Sequence, residues 1–505
     1  MASRSAGRAR KRDADRASTD ARGLTRALAL TLASALVWGV AHLWSGRRWA
    51  GGLLLGAFAL LGVAGVVAGT VFQADLRQMA VRPDWLSGAA IGILLLGLVW
   101  VTVVIRSYQV VQPAALPVGA RTAGAAAVAV LCFAVAVPAA WSAHRTYLAQ
   151  DALSSIFRAG GAGGRAVDAE DPWNGQSRVN VLLLGGDAAA NREGVRTDSM
   201  TLASVDTRTG DTVLLSLPRN LERFQMPPGP ARDRFPYGFT GDGAGTPGLL
   251  NEVYQYAEEH PDLMPGVPKD ARGPEMIKKT VSGILGQRVD YYILVDMFGF
   301  ADIIDAMGGV RVKITEPIPY GLQGAVLQPG DRVLKGKEAL WYGRSRTNSD
   351  DYTRMGRQKC LLRAIARQAD PRTVLTKFDR LAAAAKRAIS TDIPQELLPA
   401  LMSLSEKVKG GARINSLQFV PPLISTGDPD FAEIRRLAAN AVLKQETAAA
   451  SPSATPTAPP TAKRTEATGG TRGTGGGGTA SPTQRGTQAP SADAKPVSLD
   501  AACPS

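Results

Sequence analysis

The strongest constraint in the sequence lies at its beginning, where four long apolar runs fall within the first 145 residues. They are Ala27–Trp44, Gly51–Phe72, Leu86–Ile105 and Thr122–Trp141, and none contains Asp, Glu, Lys or Arg. Each holds roughly 18 to 22 residues. At about 1.5 Å rise per residue, a helix of that length crosses a hydrocarbon core of about 30 Å. Trp44, Trp49, Trp85 and Trp141 stand at or beside the run ends, where interfacial aromatic side chains belong. Three more runs after the first argue against a cleaved signal peptide. Residues 1–22 form a basic tail (Arg4, Arg8, Arg10, Lys11, Arg12, Arg16, Arg22) of the kind kept on the cytoplasmic side.

Counting crossings raises a difficulty. A cytoplasmic tail followed by four full crossings returns everything after residue 145 to the cytoplasm. The first run is the shortest, contains His42, and joins the second through a tight Ser45-Gly46-Arg47-Arg48 turn. One of that pair is a candidate for a re-entrant or interfacial segment.

Composition divides the remainder. Residues 146–177 read as a linker with a glycine-rich stretch at Gly160–Gly164. Residues 178–445 are enough to bury a real core. From residue 446 to Ser505 the chain is mostly Ser, Thr, Pro, Gly and Ala, a composition expected to stay disordered. The formal net charge of +14 suits membrane-flanking and solvated basic residues, or a phosphate-rich partner. Three cysteines (Cys132, Cys360, Cys503) and three histidines form no Cys/His cluster. That argues against a structural zinc site and against a disulfide framework. His260, the middle region's one histidine, reads as a surface residue.

In the middle region, Val179–Asp187 is a short apolar run ending in glycines, a buried strand that delivers Asp187 to a loop. Met200–Val205 and Thr212–Leu217 read as a hairpin joined by Asp206–Asp211. Tyr291–Val295 and Val310–Ile314 read as strands, with a helix over Phe298–Ala306 between them. Tyr352–Gln368, Leu397–Val408 and Phe431–Leu443 carry helical patterns. Strands alternating with helices imply an α/β layered domain.

Four clusters could carry chemistry: Asp187 with Arg196-Thr197-Asp198; Ser216-Leu217-Pro218-Arg219-Asn220; Tyr342-Gly343-Arg344-Ser345-Arg346; and Asp351–Gln358. Singly, each is as readily a turn, a strand end or a salt-bridged helix face. Together they are dominated by arginine, whose planar fork grips phosphate oxygens in pairs. Five arginines with two carboxylates suit a pyrophosphate–Mg²⁺ complex. The chain has no GxxxxGK[ST] and no GxSxG, so neither a nucleotide P-loop nor a serine-hydrolase elbow is the source of activity.

The motifs Val179–Asp187, Arg196–Met200, Ser216–Arg219, Asp290-Tyr291-Tyr292, Phe298-Gly299-Phe300, Ala306–Val310, Gly336–Leu340 before Arg344-Ser345-Arg346, and Arg354–Gln358 follow one another in an order that resembles the LytR–CpsA–Psr family. The resemblance is dense over residues 178–370 and looser to 445. It implies a mixed central sheet flanked by helices, enclosing an apolar pocket for a polyprenyl tail with a charged mouth for pyrophosphate. It also implies transfer of a cell-wall glycopolymer, a teichoic acid for example, from a polyprenyl-pyrophosphate carrier to peptidoglycan. By the same resemblance, Asp187 and Asp198 are the carboxylates that hold Mg²⁺, with Mn²⁺ as the alternative ion. Arg196, Arg219, Arg344, Arg346, Arg354 and Gln358 are the pyrophosphate ligands, and Asp198, Arg196, Arg344 and Arg346 are the catalytic set. Two departures stand out: Asn220 where the family often has Asp, and Leu249-Leu250 where it often has a basic residue before Asn251.

This reading expects a multi-pass membrane protein whose catalytic domain faces outward, with the lipid bilayer, peptidoglycan and the carrier-linked glycopolymer as partners and no nucleic acid. The alternatives are a pyrophosphatase at the same site, using water as acceptor, and a membrane-tethered transcriptional regulator of envelope genes.

Overall fold

The computed structural model describes residues 21–72, 76, 79, 82–114, 116–157, 168, 171–187, 195–243, 246–321, 324–347, 350–368, 376–450, 496–498 and 503. The chain forms two compact units: residues 1–172 with 371–403, and residues 173–370 with 404–505.

In the first unit, three helices are long and apolar enough to cross a membrane: α1 (Arg48–Thr70), α2 (Pro83–Val111) and α3 (Val118–Ile156). Among the described residues, the first apolar run is not one of these three helices. Its helix over residues 21–36 ends, and Gly39 turns left-handed at φ 93° before a separate short helix, Val40–Trp44. A Cβ at Gly39 would lie 2.4 Å from the Gly51 carbonyl oxygen, so this close approach requires glycine. The broken run instead packs inside the unit. Trp100 donates its indole N–H to the Ala35 carbonyl at 2.8 Å, and Trp38 meets Trp100 edge-on. Trp44, Trp49, Trp85 and Trp141 are all exposed, as membrane-interface residues are expected to be.

The helix over the fourth apolar run also runs further than composition suggested. Helix α3 continues to Ile156, well into the linker expected from residue 146, because no glycine or proline interrupts Ser142–Ile156. Its extension holds the helix Phe378–Ala388 through ion pairs: Arg145 to Asp379 at 3.1 Å and Lys386 to Asp151 at 2.9 Å. Gln395 donates to the Phe157 carbonyl at 3.0 Å. Residues 371–403, expected within a continuous domain over 178–445, therefore group with the first unit.

The second unit is built on a mixed sheet. Strands β1 (Arg178–Asp187), β2 (Arg196–Asp206) and β3 (Thr212–Leu217) form an antiparallel run. Helices α4 (Val253–Glu259) and α5 (Lys269–Leu285) lead to β4 (Tyr291–Asp296), which lies parallel to β1. Helix α6 (Met297–Met307) follows, capped by Asp296, whose carboxylate accepts from the Gly299 N–H at 2.9 Å. Strands β5 (Val310–Ile314), β6 (Ile318–Tyr320), β7 (Ala325–Leu327) and β8 (Gly330–Leu334) make two small hairpin sheets, β5 with β8 and β6 with β7. Val310–Ile314 is thus a strand as expected, but outside the main sheet. Helices α7 (Gly336–Arg344) and α8 (Asp351–Gln368) complete this layer. Strand β9 (Ile414–Gln418) pairs parallel to β3, helix α9 (Phe431–Ala450) follows, and β10 (Val497–Ser498) adds an antiparallel edge to β9. Within this unit the strands lie in the order β10-β9-β3-β2-β1-β4.

Strand alternation splits the two faces of the sheet. Leu182, Leu184, Leu202, Val213 and Leu215 pack into the main core with Ile277, Val281 and Ile284 of α5 and Ile434 and Leu437 of α9. Leu183, Leu214, Ser216, Ile293 and Val295 turn to the opposite face, which helices α6, α7 and α8 cover. Those helices share a second core with the hairpin sheets, centred on Ile304, Val310, Ala339, Tyr342 and Leu361. Helix α7 begins hard against α6. The Gly336 N–H donates to Asp305 at 2.8 Å, and a Cβ there would lie 2.1 Å from the Ala301 carbonyl oxygen.

Three expectations need correction. Cys360 on α8 and Cys503 form a disulfide across 143 residues of sequence, so two of the three cysteines are a cross-link after all, and Cys132 is free. The segment after residue 445 also contributes structure: β10 pairs with β9, and Cys503 is buried with its carbonyl accepting from Arg363 at 3.3 Å. The remainder of that segment, residues 451–495, 499–502, 504 and 505, lies outside the described residues. His260 is half-buried rather than superficial; its ring stacks on Tyr256 and approaches the Asp242 carboxylate at 3.2 Å.

Candidate active site

A β-bulge sets the first feature of the site. Gly185 pairs with Ser199 and Gly186 with Thr197, so Asp198 has no partner across β1. An extra residue of this kind bends its strand and re-aims its side chain. Burial in β2 records the slip: Thr197 and Met200 are buried, while Asp198 and Ser199 between them are both partly exposed. The bulge turns the Asp198 carboxylate toward Arg219, which follows β3. Arg219 donates through Nη1 to Asp198 Oδ1 at 2.7 Å.

From there a closed network runs through α8. Arg219 Nε lies 3.2 Å from Asp351 Oδ1, at the first residue of that helix. Arg354, one turn on, donates through Nε and Nη2 to the two oxygens of Asp351 at 3.1 and 3.0 Å. Its third contact, Nη1 to the Asp198 carbonyl at 3.0 Å, returns to the bulge. Arg354 is 4% exposed, and a buried guanidinium is tolerated because these partners satisfy it. Burial works against the charge on Arg219, but Asp198 and Asp351 outweigh it and hold its pKa above the ordinary arginine value.

Arg196, Asp198, Arg219, Arg344, Arg346 and Arg354 line one polar cavity of about 470 Å³. The sequence placed these residues in four separate clusters, and the fold brings them together. Five guanidiniums and one carboxylate, Asp198, line this space, with Asp351 paired to Arg219 and Arg354, and that excess of positive charge suits a polyanionic ligand. Arg344 ends α7, with its guanidinium carbon 5.9 Å from the Trp341 ring centre. Arg346 lies just beyond the helix and is exposed.

Gln358 differs from its expected role. Its amide nitrogen donates to the Gly343 carbonyl at 3.0 Å, and the residue lines an apolar cavity beside the polar one. Together with Arg357, which donates to the Ser345 carbonyl, it pins the end of α7 to α8. Burial pushes the Arg357 guanidinium below its ordinary pKa. Asp187 ends β1, and its side chain lies outside the described residues. Asp351 is the member that sequence reasoning left without a role. Its place three residues before Arg354 was visible, but its second partner, Arg219, is distant in sequence.

The apolar cavity lies between the sheet and helices α6–α8. Leu183, Ile293, Phe300, Leu340, Leu362 and Ile365 are among its walls. Asp198, Arg344 and Arg354 line both cavities, so a charged mouth opens directly onto an apolar interior. Such a pair suits an amphiphile with an anionic head.

For a metal ion, the described residues contain no group of three or more His, Cys, Asp and Glu side chains that could hold one alone. Mg²⁺ commonly binds through one or two carboxylates plus substrate phosphates. Asp198 at the cavity wall fits that mode, in which a phosphorylated ligand supplies the remaining oxygens.

Replacing Arg344 by alanine is expected to weaken binding of an anionic amphiphile about tenfold, the loss of one charge-assisted hydrogen bond. Lysine should restore part of it, since it keeps the charge but not the fork. Titration of the full chain with a polyprenyl pyrophosphate checks this; unchanged affinity in both variants would remove Arg344 from the site.

The LytR_cpsA_psr family model matches residues 148–429, more than half of the chain. Among similar proteins is the polyisoprenyl-teichoic acid–peptidoglycan teichoic acid transferase TagU of Halalkalibacterium halodurans, 24% identical over 49% of this chain and 68% of the relative. TagU of Bacillus subtilis is 26% identical over 45% of this chain and 63% of the relative. The chain thus spans about two thirds of these relatives' lengths. Among solved structures, protein gbs0355 of Streptococcus agalactiae matches at 22% identity and a TM-score of 0.41, over 53% of this chain and 88% of that one.

Proposed function

We propose that this chain, which belongs to the LytR–CpsA–Psr family, transfers a cell-wall glycopolymer from a polyprenyl-pyrophosphate carrier to peptidoglycan. The observation that carries the proposal is the shared wall of the two cavities: Asp198, Arg344 and Arg354 stand where an apolar interior meets a cluster of arginines. The names of the TagU relatives point to the same class of reaction.

In this reading the prenyl tail occupies the apolar cavity and the arginines hold the pyrophosphate. A hydroxyl of peptidoglycan attacks the phosphorus that carries the sugar. The new oxygen–phosphorus bond forms as the bridging phosphoanhydride bond breaks. Polyprenyl phosphate departs with the electron pair, and the glycan remains joined through a phosphodiester. Asp198 accepts the hydroxyl proton, while Arg196, Arg219, Arg344, Arg346 and Arg354 stabilise the charge gathering on phosphate oxygens. Asp198, with Asp187 as its partner, would hold Mg²⁺, which when bound neutralises phosphate charge. The arginine–carboxylate network keeps Asp198 oriented, so the site is preorganised before the carrier arrives. Product analysis with and without peptidoglycan tests the reaction. A phosphodiester-linked glycan supports it; free glycan phosphate formed at the same rate without peptidoglycan would replace it with a pyrophosphatase.

The proposal also requires the second unit to lie outside the membrane. Three candidate spans after a cytoplasmic basic tail would lead outward, and the break at Gly39 supports leaving the first run out of that count. The Cys360–Cys503 disulfide supports the same side, since such bonds persist in oxidising compartments. An engineered cysteine in the loop 238–248 is expected to react with an impermeant reagent added to intact cells. Labelling only after lysis would refute the outward placement and favour a cytoplasmic regulator.

A further inference from the structure

The apolar cavity is not apolar throughout. Its floor is a face of the sheet, and one row of paired residues crosses that face from strand to strand. In β4, β1, β2, β3 and β9 the row reads Ile293, Leu183, Thr201, Ser216 and Gln418, and all five line the cavity. Its β4–β1 side is hydrocarbon. Its β2–β9 side is two hydroxyls and an amide.

A lysine faces the same space. Lys359 of α8 lines this cavity and not the arginine-lined one. It lies five residues beyond Arg354, about 7.5 Å along the helix at about 1.5 Å rise per residue. Cys360, the next residue, is bonded to Cys503, and the chain just before Cys503 pairs with β9 through Val497 and Ser498. That link ties this turn of α8 to the β9 edge, the polar side of the floor.

Lys359 is half-buried and has no ion pair or side-chain hydrogen bond among the described residues. A lysine stem can lie along apolar surface while its ammonium reaches water. An ammonium fully in water would keep its ordinary pKa, whereas burial pushes that of Lys359 down, with no carboxylate to hold it up. The floor has capacity to match. Thr201 and Ser216 share one hydrogen bond at 2.9 Å, and two hydroxyls carry two protons, so one remains to donate. The Gln418 side chain is half-buried and makes no hydrogen bond among the described residues. One positive charge with neutral donors matches a single negative charge. A pyrophosphate, carrying several, belongs with the five arginines.

We propose that Lys359, with Ser216, Thr201 and Gln418, forms a second pole of the apolar cavity that binds the carboxylate of a long-chain fatty acid, whose hydrocarbon chain fills the Ile293–Leu183 side. The inference needs only the cavity and holds whichever anion the arginines take. A fatty acid bound there occupies the space that the prenyl tail would use, so the two ligands exclude each other.

The test measures binding of palmitate and of hexadecanol, its uncharged analogue, to the full-length protein in lipid nanodiscs, each against protein-free nanodiscs. The unmodified protein is expected to prefer palmitate about tenfold or more, the effect of one charge-assisted hydrogen bond. Lys359→Met keeps an unbranched stem and removes the charge. It should abolish the preference by weakening palmitate alone, with hexadecanol bound as well as before. Lys359→Arg should retain most of the preference. Palmitate should also displace farnesyl pyrophosphate from the unmodified protein. Equal binding of the two probes by the unmodified protein would overturn the second pole. So would a preference that survives Lys359→Met, because the arginines would then hold the carboxylate. Loss of both probes in Lys359→Met and Lys359→Arg alike would reduce Lys359 to a structural role. Simultaneous binding of palmitate and farnesyl pyrophosphate would place the fatty acid outside this cavity. The palmitate–hexadecanol comparison does not use farnesyl pyrophosphate, so a failure of the carrier reading is read separately.

Discussion

Asp198→Ala is expected to lower transfer by roughly two to four orders of magnitude while leaving carrier affinity intact or improved. The rate loss follows from the role assigned to the carboxylate, since a positioned general base contributes about 10²–10⁴. The affinity follows from electrostatics. Asp198 is a negative charge on the wall of a cavity that would hold a more negative pyrophosphate. Removing it relieves repulsion and releases Arg219 Nη1, now bonded to it at 2.7 Å, to bind phosphate oxygen. Mg²⁺ dependence should disappear with turnover if the same carboxylate helps hold the ion. The measurement is single-turnover transfer alongside lipid binding, with and without Mg²⁺. Full activity with an unaltered Mg²⁺ response would eliminate Asp198 from the chemistry. A parallel collapse of lipid binding would show instead that the Asp198–Arg219–Asp351–Arg354 network is needed to keep the arginines in place.

Breaking the Cys360–Cys503 disulfide is expected to cost about 2–5 kcal/mol of stability, the usual range for a native cross-link. The bond closes 143 residues of sequence, and a long loop restrains the unfolded chain most in the chain-entropy account. For a unit of this size that corresponds to a fall of roughly 10 °C in the unfolding midpoint. Thermal unfolding of the detergent-solubilised full chain, compared with Cys503→Ser, reads it directly. Limited proteolysis adds a covalent readout. Cleavage between residues 451 and 495 should leave the C-terminal peptide attached until a reductant is added. A peptide released without reductant, or an unchanged midpoint, would mean that the two cysteines are not joined in the native protein.

Much of this protein was legible because it is written in local patterns. The buried strand over Val179–Asp187, the hairpin joined by Asp206–Asp211, the helix between Tyr291–Val295 and Val310–Ile314, and the helix ending at Gln368 all stand as read. Period-two and period-3.6 patterns depend only on residues close in sequence. The arginine clusters were equally visible, because residue type alone says which side chains can grip phosphate.

Several features were not legible, and each is a matter of contact through space. The first apolar run looks continuous, yet Gly39 breaks it because Gly51 approaches too closely for a side chain. Helix Phe378–Ala388 belongs with the first unit because Asp379 and Lys386 find Arg145 and Asp151. Neither pairing is marked in the local sequence. The disulfide was missed for the same reason: spacing cannot report that residues 360 and 503 meet.

By itself, then, the sequence determined the apolar runs, the α/β alternation and the residue types of the charged clusters, because composition and periodicity act over a few residues at a time. Only the tertiary structure decided that a bulge opposite Gly185–Gly186 turns Asp198 toward Arg219, that Asp351 joins Arg219 to Arg354, and that Gln358 braces α7 instead of lining the polar cavity. Those outcomes depend on strand register and on helices packed across a sheet. There the hydrogen-bonding and ion-pair requirements of buried groups are met by partners brought near only by the folded chain.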